Sequence, residues 1–241
     1  MHPTFNIQHP TSNILLLSDK IIRFYKELIP PKELPNDVEV LHPQKNEDVK
    51  RIIEIFYTKY FSDNNPRRFL FGINPGRFGS GTTGINFTAP NQLKQFCGID
   101  HPFKQQSELS AEFIYEVIEQ YGGPEKFYND FFITAVSPLG FIKNGKNMNY
   151  YDDKNLQAAL KPFIVESIFK QLDFGKNDHC ICVGGEKNFR FFVDLNREYN
   201  FFKEIIPLPH PRFIMQYRRK KKQFYIDQYL SALRNDSDLK K

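Results

Sequence analysis

Two side chains in this sequence combine the chemistry and the placement expected of a catalytic site, Asn74 and His210. The carbonyl oxygen of an asparagine amide can hold a water molecule, although an amide is a poor proton acceptor. A histidine can donate a hydrogen bond to an oxyanion that develops on a leaving group, and one such preorganised donor is typically worth about 100- to 1000-fold in rate. Phe87 adds an aromatic face on which a flat ring can stack. These residue types suit a hydrolysis in which the leaving group departs as an anion.

Each of these residues also has a purely structural interpretation. An asparagine beside a proline is frequently a turn residue, and a lone histidine is frequently a hydrogen-bonded structural residue. Phe87 is one of 25 phenylalanines, whose default role is core packing. The positions of Asn74 and His210 favour a catalytic role over a structural one, because both residues closely follow predicted strands.

The strand before Asn74 is predicted from the apolar run at residues 69–73, which has the composition of a strand buried on both faces of a sheet. Pro75 removes a backbone donor and Gly76 permits a sharp turn, so the strand ends there. In a parallel sheet the carboxyl ends of the strands meet at one edge, where ligands bind, so we expect a single site there. Three further apolar runs predict strands at residues 131–136, 180–183 and 205–208, which are followed by Ser137, Gly184 and His210.

Helical patterns alternate with these strands, and residues 142–153 are predicted to form a polar loop. Pro162 predicts that the helix before the third strand begins near residue 161. The alternation predicts an α/β fold, a three-layer αβα arrangement around a central, mainly parallel four-stranded sheet with Pro207 on an edge strand. Three of the other helices are expected to begin at a capping residue: Thr11 or Ser12 for a helix to about residue 28, Asn46 for one to about residue 60, and Ser110 for one to residue 121. Three more helices are expected at residues 89–98, 186–198 and 216–233.

Length and composition suit one domain, residues 1–241, with an N-terminal helical part at 1–66 and a core at 67–233. Three cysteines cannot form a disulfide framework or a four-cysteine iron–sulfur cluster, and they indicate a reducing compartment. No stretch approaches the roughly 20 apolar residues of a membrane span, and no secretory signal is visible. We therefore expect a cytoplasmic monomer, associated with the nucleoid if bacterial, with no membrane, metal or cofactor. The net charge of +5 is compatible with an anionic partner.

The stretch RRFLFGINPGRFGSGTTGINF at residues 67–87 resembles the first motif of the uracil-DNA glycosylase superfamily. The chain is most similar to the single-strand-selective monofunctional uracil-DNA glycosylase family, and residues 207–212, PLPHPR, resemble its second motif. The resemblance covers about residues 67–230. The shared elements of the first motif keep their order and spacing: Gly72-Ile73-Asn74-Pro75-Gly76, Phe78-Gly79, Thr83-Gly84 and Phe87.

This resemblance implies a monofunctional enzyme that hydrolyses the N-glycosidic bond of uracil in DNA and leaves an abasic site for base excision repair. It implies that Asn74 positions the hydrolytic water, that Phe87 stacks on a base flipped out of the DNA, and that His210 contacts uracil O2. The residues expected to surround the base are Ile73, Gly76, Phe78, Phe87, Ala135 and Ser137.

Ala135 departs from the family pattern. The family has an asparagine at this position whose amide reads the pairing edge of uracil, and alanine cannot form those hydrogen bonds. By analogy with other bidentate base contacts, the loss corresponds to about 1–3 kcal/mol of discrimination. Backbone groups or Ser137 could substitute for the amide. We expect a more permissive pocket, with xanthine and hypoxanthine as further candidate substrates.

The segment after His210 has the composition of a DNA-contacting surface. Apolar residues beside clustered cations suit a protein that opens stacked bases while it neutralises phosphates. Two structural interpretations stay open: residues 213–215 as the buried start of a helix, and the basic run at 218–222 as a solvated surface. Arg77 stands where the family has proline and suits a phosphate contact. The residues expected to contact DNA are Arg77, Arg212, Phe213, Arg218, Arg219 and Lys220.

Two other functions compete with the glycosylase hypothesis. Residues 79–84 match the pattern G-x-G-x-x-G, but they do not directly follow the strand and are a poor helix start, which disfavours dinucleotide binding. A nucleic-acid-binding module without activity is the alternative, since Ala135 weakens base recognition. Asn74, Phe87 and His210 argue against that alternative because simple binding needs no water-positioning amide.

Overall fold

A four-stranded parallel sheet lies at the centre of the protein, for which a computed structural model describes residues 15–234. The strands are β1 (Glu39–Leu41), β2 (Arg67–Gly72), β3 (Phe131–Ala135), β4 (Gly140–Lys143), β5 (Lys146–Met148), β6 (Gly175–Val183) and β7 (Glu204–Leu208). The central sheet has the order β3-β2-β6-β7. Its register pairs Gly72 with Ala135 and Val183 with Leu208, so that the carboxyl ends of the strands share one edge. The predicted sheet is confirmed, and Pro207 lies on the edge strand β7.

Helices cover both faces of this sheet, and the predicted three-layer αβα architecture is confirmed. The helices are α1 (Leu17–Lys26), α2 (Glu47–Phe61), α3 (Ser80–Thr83), α4 (Pro90–Gln95), α5 (Leu109–Tyr121), α6 (Pro124–Asp130), α7 (Lys154–Leu172), α8 (Gly185–Tyr199), α9 (Pro211–Tyr217) and α10 (Lys222–Arg234). The predicted cap of α2 is confirmed, because Asn46 Oδ1 accepts the backbone N–H groups of Asp48 and Val49. The predicted caps Thr11 and Ser12 lie outside the described residues.

A small antiparallel sheet, with the order β1-β4-β5, packs beside the turn that follows β2. Residues 142–153 are therefore not simply a polar loop, because the second half of β4 and all of β5 fall inside them. Two residues with positive φ, Asn144 at 50° and Gly145 at 68°, connect β4 to β5. An Asn-Gly pair is the preferred sequence of such a two-residue hairpin turn.

Helix α7 begins at Lys154 and continues through Pro162, so the prediction of a start near residue 161 is wrong. Proline removes one helical hydrogen bond, yet the helix buries a continuous stripe on both sides of it. The stripe has the spacing of one helix face and consists of Leu156, Leu160, Ile164 and Ile168, each fully buried. Packing of this face outweighs the local cost of the proline.

Two further helix predictions need correction. Glu108, not Ser110, caps α5: its carboxylate accepts the backbone N–H of Ala111 at 3.1 Å and the Ser110 hydroxyl at 2.9 Å. The helix expected over 216–233 is divided into α9, a 3₁₀ turn at 219–221 and α10. The division falls in the basic run at 218–222, where like charges three and four residues apart disfavour a continuous helix.

Candidate active site

The carboxyl edge of the parallel sheet opens into a cavity of about 1070 Å³. This volume is at the upper end of the range found for small-molecule sites. All four strand ends contribute to its walls, through Gly72, Ala135, Gly184 and Leu208. Residues of the hairpin β4–β5 and of α9 also line the cavity.

Three backbone groups hold the Asn74 amide in the cavity wall. Its Nδ2 donates to the carbonyl oxygens of Pro75 at 3.2 Å and Met148 at 3.3 Å. Its Oδ1 accepts the backbone N–H of Tyr150 at 3.1 Å. The amide orientation is fixed because the two carbonyls can only accept. A carbonyl oxygen accepts two hydrogen bonds, so Oδ1 retains one acceptor position beyond the bond from Tyr150.

The ring of Phe87 lies against the end of β2. A Cβ atom at Gly72 would approach Phe87 Cε2 to 2.8 Å, so the ring occupies space that only glycine leaves free. The backbone of Phe87 has φ 53°, a left-handed conformation that is rare for a bulky residue and frequently marks a functional site. The ring centroid is 6.1 Å from that of His210, at an interplanar angle of 48°.

His210 precedes α9 and caps it, because its Nδ1 accepts the backbone N–H of Arg212 at 3.1 Å. The proton of the neutral ring is therefore on Nε2. Burial, and to a smaller extent the positive charge of Arg212, lower the pKa of His210 to about 4. The imidazole is thus neutral at physiological pH and lines the cavity with an Nε2–H donor.

Four other residues expected at the base also line the cavity, and one does not. Ile73, Gly76, Phe78 and Ala135 belong to its walls. Ser137 is fully buried outside it, and its hydroxyl donates to the carbonyl of Leu139 at 2.8 Å. This placement corrects the expectation that Ser137 contacts the base, because its hydroxyl is committed within its own loop.

The mouth of the cavity carries aromatic rings and cations. Phe213 and Tyr217 are 42% and 66% exposed and line the cavity together with Arg212. The guanidinium of Arg218 lies 5.4 Å from the Phe213 ring centroid. Ile214 and Met215, in contrast, are buried in the core. Of residues 213–215, therefore, only Phe213 is available to a partner.

The remaining predicted DNA contacts lie beyond the cavity walls. Arg219 and Lys220 are exposed on the 3₁₀ turn. The Arg77 guanidinium stacks on Phe78 at 5.0 Å from the ring centroid, and the Arg77 backbone N–H donates to Asn147 Oδ1 at 3.2 Å. None of these three cations lines the cavity.

Several lining residues were not identified from the sequence. Asn147, Met148, Asn149 and Tyr151 come from β5 and the segment after it. The Asn-Gly turn was a signal for this hairpin, although nothing local shows that it packs on Asn74. Asn86 was quoted within the first motif without a role, and it also lines the cavity.

Cysteines and metal ligands take no part in this site. Cys97, Cys180 and Cys182 are buried free thiols, and burial raises the pKa of Cys182 to about 12. Within residues 15–234 no three metal-ligating side chains are grouped together. Across the same residues, no helix has the length and apolarity needed to span a bilayer.

A family model described as the uracil DNA glycosylase superfamily matches residues 58–234. The chain belongs to this superfamily. A search of the curated proteins found no match. The structure is similar to the crystal structure of wild-type SMUG2 from Pedobacter heparinus, with a TM-score of 0.89 and 46% sequence identity, over 92% of this chain and 98% of that chain. The resemblance seen in the motifs, to the superfamily and to its single-strand-selective monofunctional family, is confirmed.

Membership of the uracil-DNA glycosylase superfamily supports a glycosylase-type hydrolase that acts on DNA. The cavity lies where the superfamily motif residues Asn74 and His210 meet. The fold thereby brings together, from opposite ends of the sequence, the two polar side chains that the motifs singled out.

Proposed function

We propose that this protein is a monofunctional DNA glycosylase that hydrolyses the N-glycosidic bond of uracil in DNA and leaves an abasic site for base excision repair. Superfamily membership supports glycosylase chemistry on DNA. The observation that carries the proposal is the Asn74 amide, whose hydrogens are both bonded and whose oxygen retains one acceptor position in the cavity.

In the proposed reaction the bond between the sugar C1′ and the base nitrogen breaks, and its electron pair leaves with the base. His210 donates a hydrogen bond from Nε2 to a carbonyl oxygen of the departing anion. A water held by Asn74 Oδ1 adds to the cationic sugar at C1′ and loses its proton to solvent. The base anion takes a proton from solvent after it departs. No covalent intermediate and no lysine are required.

The aromatic face of Phe87 holds the extruded base in this scheme. Taking a base out of the stack costs a few kcal/mol, and stacking on a ring restores part of that energy. In this proposal Phe213 enters the space that the base leaves, and Arg212, Arg218, Arg219 and Lys220 neutralise phosphates. Arg77 is a further candidate for a phosphate contact.

The proposed base spectrum is broader than uracil. Ala135 gives the cavity wall a methyl group where an amide would read the pairing edge, and the Ser137 hydroxyl is bonded to Leu139. We therefore include xanthine and hypoxanthine among the substrates. DNA is the partner of the proposed enzyme, which acts as a monomer in the cytoplasm or at the nucleoid.

Base release from a single-stranded oligonucleotide with one uracil, followed by alkaline cleavage at the abasic site, tests the proposal. Asn74→Ala and His210→Ala are each expected to lower the single-turnover rate on the order of 100-fold or more. Asn129→Ala removes an exposed amide far from the cavity and is the matched control, with an unchanged rate expected. Oligonucleotides with xanthine or hypoxanthine test the wider spectrum in the same assay.

Binding measured in parallel separates the enzyme from the alternative, a nucleic-acid-binding module on the same fold. Salt-sensitive binding of the wild type to the oligonucleotide without release of any of the three bases would favour the module. Release that survives both the Asn74 and the His210 substitutions would remove these residues from the mechanism.

A further inference from the structure

Asn86 is a buried amide with one unused acceptor that opens into the cavity. The residue is only 6% exposed and lines the cavity beside Phe87. Its Nδ2 donates to the Tyr25 hydroxyl at 3.1 Å. Its Oδ1 accepts no hydrogen bond from any of the described residues and is not sealed from the cavity. A polar atom in such a place is costly unless a ligand pairs with it.

The Tyr25 hydroxyl holds this amide, and the next residue, Phe87, places it close to the ends of β2 and β3. Tyr25 lies on α1 and is 1% exposed. Burial raises the pKa of the Tyr25 hydroxyl. Phe87, the residue after Asn86, lies against Gly72, and Gly72 pairs with Ala135 across β2 and β3. Asn86 is therefore anchored at the part of the cavity wall where Ala135 leaves the pairing edge of a base without a partner.

We propose that Asn86 reads the pairing edge of the bound base, with its Oδ1 accepting the ring N–H of the base. This inference rests on the proposed glycosylase function and assigns the recognition element of the same site. The amide that β3 lacks at Ala135 is supplied from the loop between α3 and α4, and Tyr25 is its positioning residue.

One acceptor at this place distinguishes deaminated bases from two of their parents. Uracil carries an N–H at ring position 3, and hypoxanthine and xanthine carry one at ring position 1. Cytosine and adenine have a lone pair at the corresponding nitrogen, which would face the lone pairs of Asn86 Oδ1. A site built to pair with a substrate N–H strongly rejects an analogue that lacks it, because its buried acceptor is then left unpaired. Asn86 thus admits the three deaminated bases by a single shared feature.

Uracil methylated at N3 is the diagnostic probe, since the methyl group replaces only the hydrogen that Asn86 is proposed to accept. Release rates are compared for uracil and N3-methyluracil in otherwise identical single-stranded oligonucleotides. The wild type is expected to prefer uracil by at least about 100-fold. Asn86→Ala should bring this preference to within about tenfold, because it loses the acceptor and gains space for the methyl group.

Two further variants separate recognition from general damage to the fold. Asn86→Asp keeps an acceptor at the same place and, at mildly alkaline pH, should keep the preference at a lower rate. Tyr25→Phe removes only the anchor and should weaken the preference partially. Tyr121→Phe is its matched control, because Tyr121 is a buried tyrosine that donates to Asp130 away from the cavity. Thermal melting verifies that each variant folds.

The outcomes keep this inference distinct from the proposed function. Suppose that the wild type releases uracil and that Asn86→Ala shows the same preference for uracil over N3-methyluracil. This result would overturn the role of Asn86 and leave the glycosylase function intact. If Asn86→Ala does not fold, an unchanged preference in Tyr25→Phe would have the same meaning. Absence of release of any base by the wild type would overturn both.

Discussion

The imidazole of His210 is a neutral donor over nearly the whole physiological pH range, because its pKa is about 4. Protonation below that value would place a hydrogen on Nδ1, where the Arg212 backbone N–H now donates. We predict that NMR titration finds His210 unprotonated down to about pH 5, and that the rate of base release has no inflection near the ordinary histidine pKa of about 6.5. An inflection there that vanishes in His210→Gln would contradict this assignment.

The same depressed pKa has a consequence for stability. Between about pH 4 and pH 6.5 the unfolded chain binds a proton at this histidine that the folded chain does not. The contribution of His210 to the free energy of unfolding is therefore most favourable above pH 6.5, and it declines as the pH falls from 6.5 to about 4. We predict that the pH dependence of the free energy of unfolding becomes shallower in His210→Gln, as urea titrations at several pH values would measure.

Gly72 determines where the Phe87 ring lies. A methyl group at residue 72 would stand 2.8 Å from the ring, so we predict that Gly72→Ala displaces it and lowers base release by about 100-fold. Gly98→Ala is a useful contrast, since Gly98 has φ 62° and nothing within 4 Å of an added Cβ. That variant should lose about 1 kcal/mol of stability and no activity. Equal activities of the two variants would show that the ring position is unimportant.

Some of these residue roles follow from the sequence and others do not. Asn74 and His210 are predictable because strand ends and proline turns are local signals. The bond between Asn86 and Tyr25 joins residues 61 positions apart, and no local pattern reports it. Ser137 is a different case, because its hydroxyl donates to the carbonyl of Leu139 only two residues further on, and its burial outside the cavity depends on the fold.

At the scale of elements, the hairpin β4–β5 is what orders the motif after β2. Gly140 begins β4, and a Cβ atom there would clash with the Pro75 carbonyl oxygen. We predict that Gly140→Ala forces the hairpin away from Asn74, which lowers base release by about 100-fold and stability by about 1–3 kcal/mol. Single-turnover kinetics and urea unfolding would measure the two effects.

The turn of the same hairpin provides the control. Gly145 has φ 68° and open space around an added Cβ. Because asparagine tolerates this left-handed conformation, Gly145→Asn should fold and act like the wild type. If Gly140→Ala were equally active, the contact between hairpin and motif would not matter for catalysis.

The central strands were predictable because β2 and β3 are apolar runs that end in turn residues. The hairpin was missed because β4 and β5 are short, and the pairing of β4 with β1 depends on residues far away in sequence. Helix α7 was shortened in the prediction because Pro162 is a strong local signal, which packing of the buried stripe overrides.

At the scale of the whole molecule, Arg67 ties the N-terminal helical part to the core. Its side chain is fully buried, and its five N–H groups donate to four residues: Tyr60, Asp63, Asn65 and Tyr128. These bonds join the end of α2 and the end of α6 to the start of β2. Within the described residues, these bonds join α2 and the segment after it directly to the sheet.

We predict that Arg67→Met lowers the free energy of unfolding by about 2–3 kcal/mol, because it leaves three carbonyls and the Asp63 carboxylate without their donors. Arg51→Met removes an exposed arginine whose ion pair with Asp48 is long, at 3.8 Å, and should change stability by less than about 0.5 kcal/mol. Denaturant titration compares the two. A similar small effect of both variants would contradict a structural role for Arg67.

The hydrogen bonds that hold the Asn74 amide form late during synthesis of the chain. The backbone groups that hold its amide belong to residues 74 and 76 positions further along the chain. At translation rates of about 5–20 residues per second, a nascent chain carries the exposed motif for roughly 4–15 s before the hairpin has emerged. During that interval the geometry proposed to hold the water does not exist. We therefore expect a partly made chain to release no base until residues up to 150 have left the ribosome.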